Sequence, residues 1–356
     1  MFREEARKRL KILKITDGRA GHITVSDGVI EAIKKKYPVE IIEVDLKLRA
    51  KFLLSILKFI LRYHLIENHF SFNDWFIKLF YKNYCKQNEK IDLIVSTGGD
   101  TLFANVWLSK ILNTKNIFCG TLKGINPKYF SLIISTSEQN VTNSIKLDIL
   151  PTQMNAKKTI ESAERFCNEK KIKKDEKYFV LLIGGDGSGY FYGKDDYENL
   201  IHSFISVVRK YGAKALITTS RRTGSENEKL LIELFSKYDE EIAYSVFFNK
   251  NPEKVVAVYL ELATAIFVTE ESGSMISESL FFKKPVFTLS PEKVKEQKGY
   301  KLFLNNLIEK KRINRITIGS DLAEVDLNAH DFHYMEQLPI DYLAEKIKPY
   351  IEDKHQ

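Results

Sequence analysis

Short apolar runs, each ending in a turn rich in glycine or serine, recur along the first half of the chain. The run Lys11–Thr16 ends in DGRAGH, and the run Ile91–Ser96 ends in TGGDT. Each turn leads into a segment whose apolar residues have helical spacing, which predicts strands that alternate with helices. Shorter strands are predicted at Val39–Val44, Asn116–Cys119 and Leu132–Ile134. The pattern indicates a parallel, doubly wound sheet.

The same pattern starts again after a charged stretch between residues 151 and 177. The run Tyr178–Ile183 ends in GGDGSG, and the run Ala215–Thr219 ends in SRRTG. Further strands are predicted at Ile242–Phe248, Ala265–Thr269 and Pro285–Leu289, the last of which closes the sheet. We therefore expect an α/β protein of two Rossmann-like, doubly wound parallel-sheet domains, at residues 1–150 and 151–335.

The segment 47–86 is unusually rich in aromatic and basic residues. Its stretch KFLLSILKFILRYHL has Lys51, Ser55, Lys58 and Arg62 on one helical face, and large apolar residues nearly everywhere else. Aromatic residues follow at Phe70, Phe72, Trp75, Phe76, Phe80, Tyr81 and Tyr84. Two interpretations stay open. The segment packs between helices of the first domain, or it forms a basic, aromatic surface that rests on a membrane interface.

The overall charge favours anionic partners. The chain of 356 residues has a formal net charge of +8 and a pI of about 9.0, which suits nucleotides or acidic lipids. Because the positive charge is spread along the chain and no nucleic-acid-binding module is recognisable, we expect no nucleic-acid partner. Cys85, Cys119 and Cys167 match no zinc, redox or disulfide spacing, which fits a reducing compartment.

The motifs of several common sites are missing from the sequence. There is no GxxxxGK[ST], no HExxH and no CxxC, and the neighbouring Asp195 and Asp196 do not form an Asp-x-Asp after a strand. We therefore predict neither a cofactor nor a bound metal. No apolar run reaches ~18 residues, and the N-terminus lacks the apolar core of a signal peptide, so we expect no membrane span and a cytoplasmic protein.

The turns of this chain lie where open α/β sheets bind ligands, beyond the carboxyl ends of the strands. Any one glycine-rich turn is ordinary, but five lie at equivalent ends: DGRAGH, STGGDT, GGDGSG, TSRRTG and ESGSM. Because they are divided between the two domains, we expect the domains to face a cleft that holds the ligand.

The stretch FVTEESGSMISESL holds the strongest candidate site. Ser272 and Ser274 are candidate N-caps, Gly273 allows close approach of a ligand, and with Met275 they offer a helix N-terminus to a phosphate. Glu278 lies four residues past Ser274 on the same helix face, where it could accept hydrogen bonds from ribose hydroxyls. The alternative is that Ser274 only caps the helix and Glu278 is a solvated helix residue.

Two further turns of the second domain could contact the same ligand. Arg221 and Arg222 follow a buried strand directly, and arginine binds phosphate oxygens bidentately; the alternative is a surface ion pair. Gly185 and Ser188 lie in the glycine-rich turn after Tyr178–Ile183, where they could contact the phosphates or the sugar.

The first domain supplies the candidates for acid–base chemistry. His22 could act as a general base on a hydroxyl, or bond the start of its helix. Asp100 could cap its helix, and it could also be the base or orient one. The other residues of these turns are expected to line the acceptor side: Asp17, Gly18, Gly21, Thr97, Gly98, Gly99 and Thr101.

These motifs resemble, in order and spacing, the mitochondrial-fission "elongated mitochondria" family. The resemblance rests on DGRAGH, STGGDT, TTSRRTG and VTEESGSMISESLFFKKPVFTL, and it runs from about residue 11 to 315. Bacterial members of the family are regarded as glycosyltransferases with two Rossmann domains, the GT-B type. SGSMISE is also similar to the nucleotide-sugar site of the peptidoglycan GlcNAc transferase, whose Ser-Gly turn and Glu hold the diphosphate and ribose.

The resemblance implies a metal-independent glycosyltransferase that moves a sugar from a nucleotide-sugar to a lipid-linked or envelope glycan, of the lipopolysaccharide or capsule type. Such an enzyme would lie at the cytoplasmic face of the inner membrane. The C-terminal helix at 336–356 would cross back to the first domain, as in similar transferases. The alternative, taken from plant members, is a non-catalytic adaptor that recruits a dynamin-like GTPase to a membrane surface.

Overall fold

The chain folds into two compact α/β units. The computed structural model describes residues 9–63, 74–122, 124–295, 297–319, 324–327 and 331–352. The first unit comprises residues 1–153 with 337–356, and the second comprises residues 154–336.

The first unit is built on a six-stranded parallel sheet with the order β2-β1-β5-β6-β7-β8. Its strands are β1 Leu10–Thr16, β2 Val39–Asp45, β5 Leu93–Thr97, β6 Lys115–Cys119, β7 Leu132–Ser135 and β8 Ser144–Lys146. A separate antiparallel pair joins β3 Lys47–Leu48 to β4 Tyr81–Lys82. Its helices are α1 Ala20–Lys34, α2 Leu53–Arg62, α3 Asp74–Phe80, α4 Leu102–Ile111, α11 Pro339–Lys346 and α12 Lys348–Glu352.

The second unit is built on another six-stranded parallel sheet, with the order β11-β10-β9-β12-β13-β14. Its strands are β9 Tyr178–Ile183, β10 Lys214–Thr219, β11 Ile242–Val246, β12 Ala263–Thr269, β13 Val286–Ser290 and β14 Asn314–Thr317. Its helices are α5 Ala156–Lys170, α6 Lys194–Lys210, α7 Ser225–Phe235, α8 Val256–Leu262, α9 Gly273–Phe281 and α10 Lys298–Glu309.

Each sheet has one point at which the strand order reverses. In the first unit it lies between β1 and β5, and in the second between β9 and β12. At such a point the connections leave in opposite directions and open a crevice at the carboxyl ends of the two strands. The turns after these four strands and the first residues of the helices that follow include His22, Gly98, the glycine-rich sequence GGDGSG and the sequence EESGSM.

Both faces of the first sheet are covered, which explains why every residue of β5 and β7 is buried. Ile12 packs with residues of α1 and α11, while its neighbour Leu13 packs on the opposite face with residues of α2, α3 and α4. The C-terminal residues complete this core, because Leu343 and Ile347 are fully buried in the α1 face. The last helices are therefore a structural part of the first unit.

The prediction that Pro285–Leu289 is the last strand is wrong, because β14 follows it. The edge strand β8 was also missed. Both are short edge strands, and the sequence NRIT of β14 buries only Ile316. An edge strand with polar residues on its open face carries little of the apolar signal on which the prediction relied.

Helix α2 has two apolar faces. Leu57, Ile60 and Leu61 point inward and are buried with Phe76 and Trp107. A second stripe is exposed on α2 and α3: Phe52 67%, Ile56 43%, Phe59 56%, Tyr63 58%, Trp75 62% and Leu79 53%. Packing between helices thus explains the buried face of α2, but it does not explain the exposed stripe. Phe70 and Phe72 lie outside the described residues.

No helix in the described part of the chain is long and apolar enough to cross a membrane.

Helix α1 lies against the chain that leaves the first unit, and Gly28 makes this contact possible. A Cβ on Gly28 would lie 2.5 Å from the carbonyl carbon of Pro151. We expect Gly28→Ala to lower the free energy of unfolding by roughly 1–3 kcal/mol, because backbone cannot move aside as a flexible side chain does. Chemical denaturation measures this loss. Gly299→Ala is the control, since a Cβ there meets nothing within 4 Å, and an equal loss in both variants would contradict the explanation.

Candidate functional site

The glycine-rich turn after β9 packs on a buried ion pair. A Cβ on Gly184 would lie 1.9 Å from Glu271 Oε1, and one on Gly187 would lie 2.0 Å from Arg222 Nη1. Gly185 has a φ of +86° and packs on the backbone of the turn after β10. Gly184 and Gly187 must therefore be glycines, because the Arg222–Glu271 pair occupies the space that a Cβ would need. The sequence alone did not suggest this reason.

Glu271 is the buried carboxylate of this pair, with its side chain fully inaccessible. Its oxygens accept hydrogen bonds from Arg222 Nη2 at 3.3 Å, the Tyr192 hydroxyl at 2.9 Å and the Thr269 hydroxyl at 3.3 Å. Burial raises the pKa of Glu271 to about 7, although Arg222 and the two hydroxyls lower it. The Ser188 hydroxyl, predicted to contact phosphate, donates to the Glu271 carbonyl at 3.0 Å.

Glu270 forms a second buried ion pair. Arg315 Nη2 lies 2.8 Å from its Oε2, and the hydroxyls of Tyr190 and Thr288 donate to its oxygens at 3.0 and 2.9 Å. The two glutamates therefore each have an arginine and two hydroxyl donors. Sequence reasoning missed both, although two acidic residues directly after the apolar run FVT were a visible signal.

The N-terminus of α9 has free hydrogen-bond donors. Ser272 is its N-cap, but its hydroxyl makes no hydrogen bond to any described residue. The backbone amides of Gly273, Ser274 and Met275 have no acceptor in the described chain, while the Ile276 amide donates to the Ser272 carbonyl at 3.0 Å. Ser274 lies inside the helix, so the prediction that it is an N-cap is wrong.

Glu278 lies on α9, one turn beyond these free amides. Its carboxylate forms no hydrogen bond or ion pair with the residues that the structure describes, and burial alone raises its pKa to about 7. The alternative of a solvated helix residue does not fit a partly buried carboxylate whose pKa is raised by desolvation. An unpaired acceptor in such surroundings is costly to the fold and suits a ligand that brings donors.

The two predicted arginines differ in what they contact. Arg222 donates from Nη1 to the Asp186 carbonyl at 3.3 Å as well as to Glu271, and its side chain is 38% exposed. Arg221 is exposed and has no ion pair within the described residues. The alternative of an ion pair thus holds for Arg222, but its partner Glu271 is fully buried and does not lie on the surface.

His22 and Asp17 form a hydrogen-bonded pair at the switch point of the first unit. His22 Nδ1 lies 2.8 Å from Asp17 Oδ2, and the Asp17 side chain is 4% exposed. Burial acts to raise the pKa of Asp17, but the bonds from His22 and Arg19 outweigh it and hold the pKa below its usual value. An ionised carboxylate can only accept, so Nδ1 carries the hydrogen and Nε2 is left as an acceptor.

Asp100 does not cap its helix, so the interpretation as an N-cap is wrong. Thr101 is the residue at the N-cap of α4, and Asp100 Oδ2 instead accepts a hydrogen bond from Arg19 Nη2 at 2.8 Å. Arg19 lies 3.6 Å from Asp17 Oδ2 as well and thus links the two acids. The sequence did not identify Arg19 as a candidate, although it lies within the motif DGRAGH.

Gly98 lies directly against the His22 ring. With a φ of +91°, it would place a Cβ 2.3 Å from Nδ1 of that ring. Thr97 and Thr101 are structural: the Thr97 hydroxyl bonds Ser26 at 2.8 Å, and the Thr101 hydroxyl donates to the Thr97 carbonyl at 3.1 Å. The structure therefore joins the turns after β1 and β5 through His22 and Gly98.

The remaining predicted loop residues lie at the edges of this cluster. Gly18 has a φ of +74° and lies next to Lys47 and Asp45, and Gly21 is in the first turn of α1. Gly99 has open space where a Cβ would point. Within the described residues, no group of three or more His, Cys, Asp or Glu is placed to hold a metal ion.

Two Rossmann-like units, each with its candidate residues at the switch point of its sheet, define the GT-B class of glycosyltransferase-like folds. Residues 20–339 match the family described as mitochondrial fission ELM1, and the chain belongs to that family. This confirms the resemblance expected from the sequence motifs. A search of curated proteins found no sequence that matches the chain.

Solved structures share the fold at low sequence identity. UDP-GlcNAc 2-epimerase of Methanocaldococcus jannaschii is 14% identical with a TM-score of 0.59, over 96% of this chain and 99% of that chain. The corresponding epimerase of Neisseria meningitidis bound to UDP-GlcNAc is 11% identical with a TM-score of 0.58, over 96% and 99%. A UDP-glucosyltransferase of Polygonum tinctorium is 10% identical with a TM-score of 0.53, over 98% and 100%.

Because Glu278 has no partner among the described residues, we expect its ionised carboxylate to lower the free energy of unfolding. Because burial in the folded state raises its pKa from 4.5 to about 7, its ionised form destabilises the fold increasingly as the pH rises above 4.5. We expect Glu278→Gln to raise the free energy of unfolding at pH 8 by an amount on the order of 1–3 kcal/mol, and to change it little at pH 4. Denaturation curves at both values of pH measure this.

Glu228 provides the matched control for this test. Its buried carboxylate accepts hydrogen bonds from the Asn249 amide at 2.8 Å and from the Thr219 hydroxyl. Glu228→Gln places an amide donor in this set and should destabilise by about 1–3 kcal/mol. A loss of stability in Glu278→Gln at pH 8 would show that its carboxylate is paired in solution.

Proposed function

We propose that this protein is a glycosyltransferase that uses a nucleotide-sugar donor. One observation carries the proposal: the free amides of Gly273, Ser274 and Met275 lie on the same helix as the unpaired Glu278, at the switch point of the second sheet. A helix N-terminus offers fixed donors to a diphosphate, and a carboxylate further along the helix offers acceptors to ribose hydroxyls. The sequence predicted this division of roles.

The leaving group takes the electron pair of the bond that breaks. The acceptor oxygen attacks the anomeric carbon of the sugar, and the bond from that carbon to the diphosphate oxygen breaks. The negative charge that develops on the diphosphate is met by the α9 amides and by Arg222 or Arg221. Donors that are already oriented stabilise such charge without reorganisation, which often is the largest contribution to catalysis. In this mechanism no metal is required.

His22 is the general base of the proposal. Its Nε2 takes the proton of the acceptor hydroxyl, while Asp17 holds the ring through Nδ1 at 2.8 Å and stabilises the imidazolium that forms. Asp100 acts through Arg19, which it bonds at 2.8 Å, and so helps to orient the Asp17–His22 pair. The geometry favours His22 over Asp100 as the base, because the Asp100 carboxylate is already neutralised by an arginine.

The acceptor is proposed to be a lipid-linked or envelope glycan reached at the cytoplasmic face of a membrane. The exposed stripe of α2 and α3 supports contact with lipid, since its residues recur on one face of each helix. The described residues of 47–86 include eight basic residues and one acidic residue, Asp74, so the surface suits anionic lipids. The same surface would serve the alternative function, an adaptor that recruits a dynamin-like GTPase.

The donor site is tested by thermal shift and calorimetry with UDP, GDP, ADP and CMP and their sugar conjugates. At about 100 times its dissociation constant, a ligand should stabilise the protein by roughly 2.7 kcal/mol. We expect one nucleotide class to do so, and Glu278→Gln to weaken its binding by at least tenfold. Glu233→Gln, which changes an exposed glutamate of α7, is the matched control.

Further outcomes of this experiment separate the functions. His22→Ala should keep donor binding and lose transfer to the acceptor. Absence of binding by every nucleotide would reject the transferase and favour the adaptor. Conversion of UDP-GlcNAc to its 2-epimer without an acceptor would instead assign the epimerase chemistry that the similar solved structures name.

Membrane contact is tested by co-sedimentation with phosphatidylglycerol vesicles. Replacing Phe52 and Phe59 by Ser removes two apolar side chains of the stripe, and we expect the partition coefficient to fall by roughly tenfold or more. Ile160→Ser with Leu302→Ser changes two exposed apolar residues of the second unit, which are 47% and 54% exposed, and should have no effect. Unchanged sedimentation of the first variant, or a stripe-dependent dimer in size-exclusion chromatography, would contradict the membrane contact.

A further inference from the structure

Arg222 is shared between a buried acid and the place where the donor phosphates are proposed to bind. Its Nη2 lies 3.3 Å from Glu271 Oε1, and its Nη1 lies 3.3 Å from the Asp186 carbonyl. Both contacts are long for charge-assisted hydrogen bonds, which usually measure about 2.7–2.9 Å. The guanidinium is also partly exposed, so it can turn to a second anion. Glu271 cannot follow it, because the hydroxyls of Tyr192 and Thr269 hold its buried carboxylate.

A diphosphate near Arg222 would place two anions beside one guanidinium. A like charge makes ionisation of a buried carboxylate less favourable, and so does loss of its cationic partner. Either the phosphate binds weakly, or Glu271 becomes neutral. In the free protein, burial raises the pKa of Glu271 to about 7, so it can gain a proton near neutral pH.

We propose that Glu271 sets the affinity of the phosphate subsite by competing with the ligand for Arg222, and that it takes up a proton when a nucleotide diphosphate sugar binds. This inference rests on the proposed donor site. The proton comes from the buffer and ends on a Glu271 oxygen, and no covalent bond of the ligand changes. Glu271 thereby determines how much negative charge the subsite accepts at a given pH.

The charged and titratable groups around Glu271 come from several elements. Those that act on it, or on which it acts, are Arg222 after β10, Tyr192 of the β9–α6 connection, Tyr197 of α6 and Tyr300 of α10. Asp186 and Glu270 lie nearby and act on these tyrosines. Desolvation raises the pKa of the three tyrosines well above 10, so none of them titrates near neutrality. Burial also raises the pKa of Glu278 on α9 to about 7, but Glu278 is unchanged in wild type and in every variant of the experiment, so its contribution cancels when they are compared.

The sign of the pH dependence follows from linkage. Below the pKa of about 7 in the free protein, Glu271 is neutral before and after binding, and affinity is highest. Above this pKa, Glu271 must take up a proton when the ligand binds. The affinity therefore falls as the pH rises, until the pH exceeds the pKa of Glu271 in the bound protein. The ratio of the wild-type dissociation constant to that of Glu271→Gln should thus rise by roughly three- to tenfold between pH 6.5 and pH 8.

The experiment is isothermal titration calorimetry with UDP-GlcNAc, beside GDP-mannose and ADP-glucose. Their phosphates are diesters, so the ligand does not titrate in this range. Buffers of different ionisation enthalpy give the protons taken up for each ligand bound. We expect Glu271→Gln at pH 7.5 to take up fewer protons than wild type, by up to one for each ligand bound, because Glu278 contributes equally to both proteins. At pH 8 this variant should bind more tightly than wild type.

Glu270→Gln is the matched control, because Glu270 is equally buried and has its own arginine and two hydroxyl partners. It should keep the wild-type proton uptake and pH slope. Arg222→Ala tests the shared guanidinium. Without that partner Glu271 should be neutral throughout, so the difference caused by Glu271→Gln should disappear in the Arg222→Ala background.

The outcomes separate this inference from the proposed function. If a nucleotide-sugar binds but Glu271→Gln weakens binding at every pH, or leaves the proton uptake unchanged, competition for Arg222 is rejected while the donor site stands. If none of the three ligands binds to a folded wild-type protein, the donor site and the inference that rests on it are both rejected. If Glu271→Gln does not fold, proton uptake is measured with Arg222→Lys instead. We expect the affinity of this variant to depend less on pH than that of wild type.

Discussion

A parallel sheet that is covered on both faces leaves one place for chemistry, the edge where its strands end. Residues along strand β9 are all buried, and the buried Lys14 of β1 is paired with Asp27 and Glu43. Polar side chains that are to meet a ligand therefore gather in the turns that follow the strands. Both units obey this constraint, and in each the turns that meet are those on either side of the point at which the strand order reverses.

The two ion pairs at the end of β12 show that polar side chains at such an edge can be buried and held in place by partners. Glu270 and Glu271 are adjacent and face different partners, Arg315 and Arg222. The carboxylate oxygens of Glu270 and Glu271 have partners within the protein, whereas Glu278 and the first amides of α9 have none among the described residues. The contrast between satisfied and unsatisfied groups is what identifies the candidate site in the second unit.

Periodicity predicted the fold class, because continuous apolar runs and the turns after them mark parallel strands directly. It missed β8 and β14, whose edge positions weaken that signal. It also located the helix of Ser272 and Glu278, but it could not show that Asp100 bonds Arg19 or that Arg222 reaches Glu271. Those pairings join residues 81 and 49 positions apart, and only the packed sheet brings them together.

The C-terminal residues of the first unit give the chain a particular order of assembly. The chain leaves this unit near residue 153 and returns near 337, after the whole second unit. Leu343 and Ile347, which fill the space beside α1, therefore emerge from the ribosome only after the whole second unit. While the protein is being synthesised, one face of the first sheet therefore stays incompletely covered until the residues after 337 have been made.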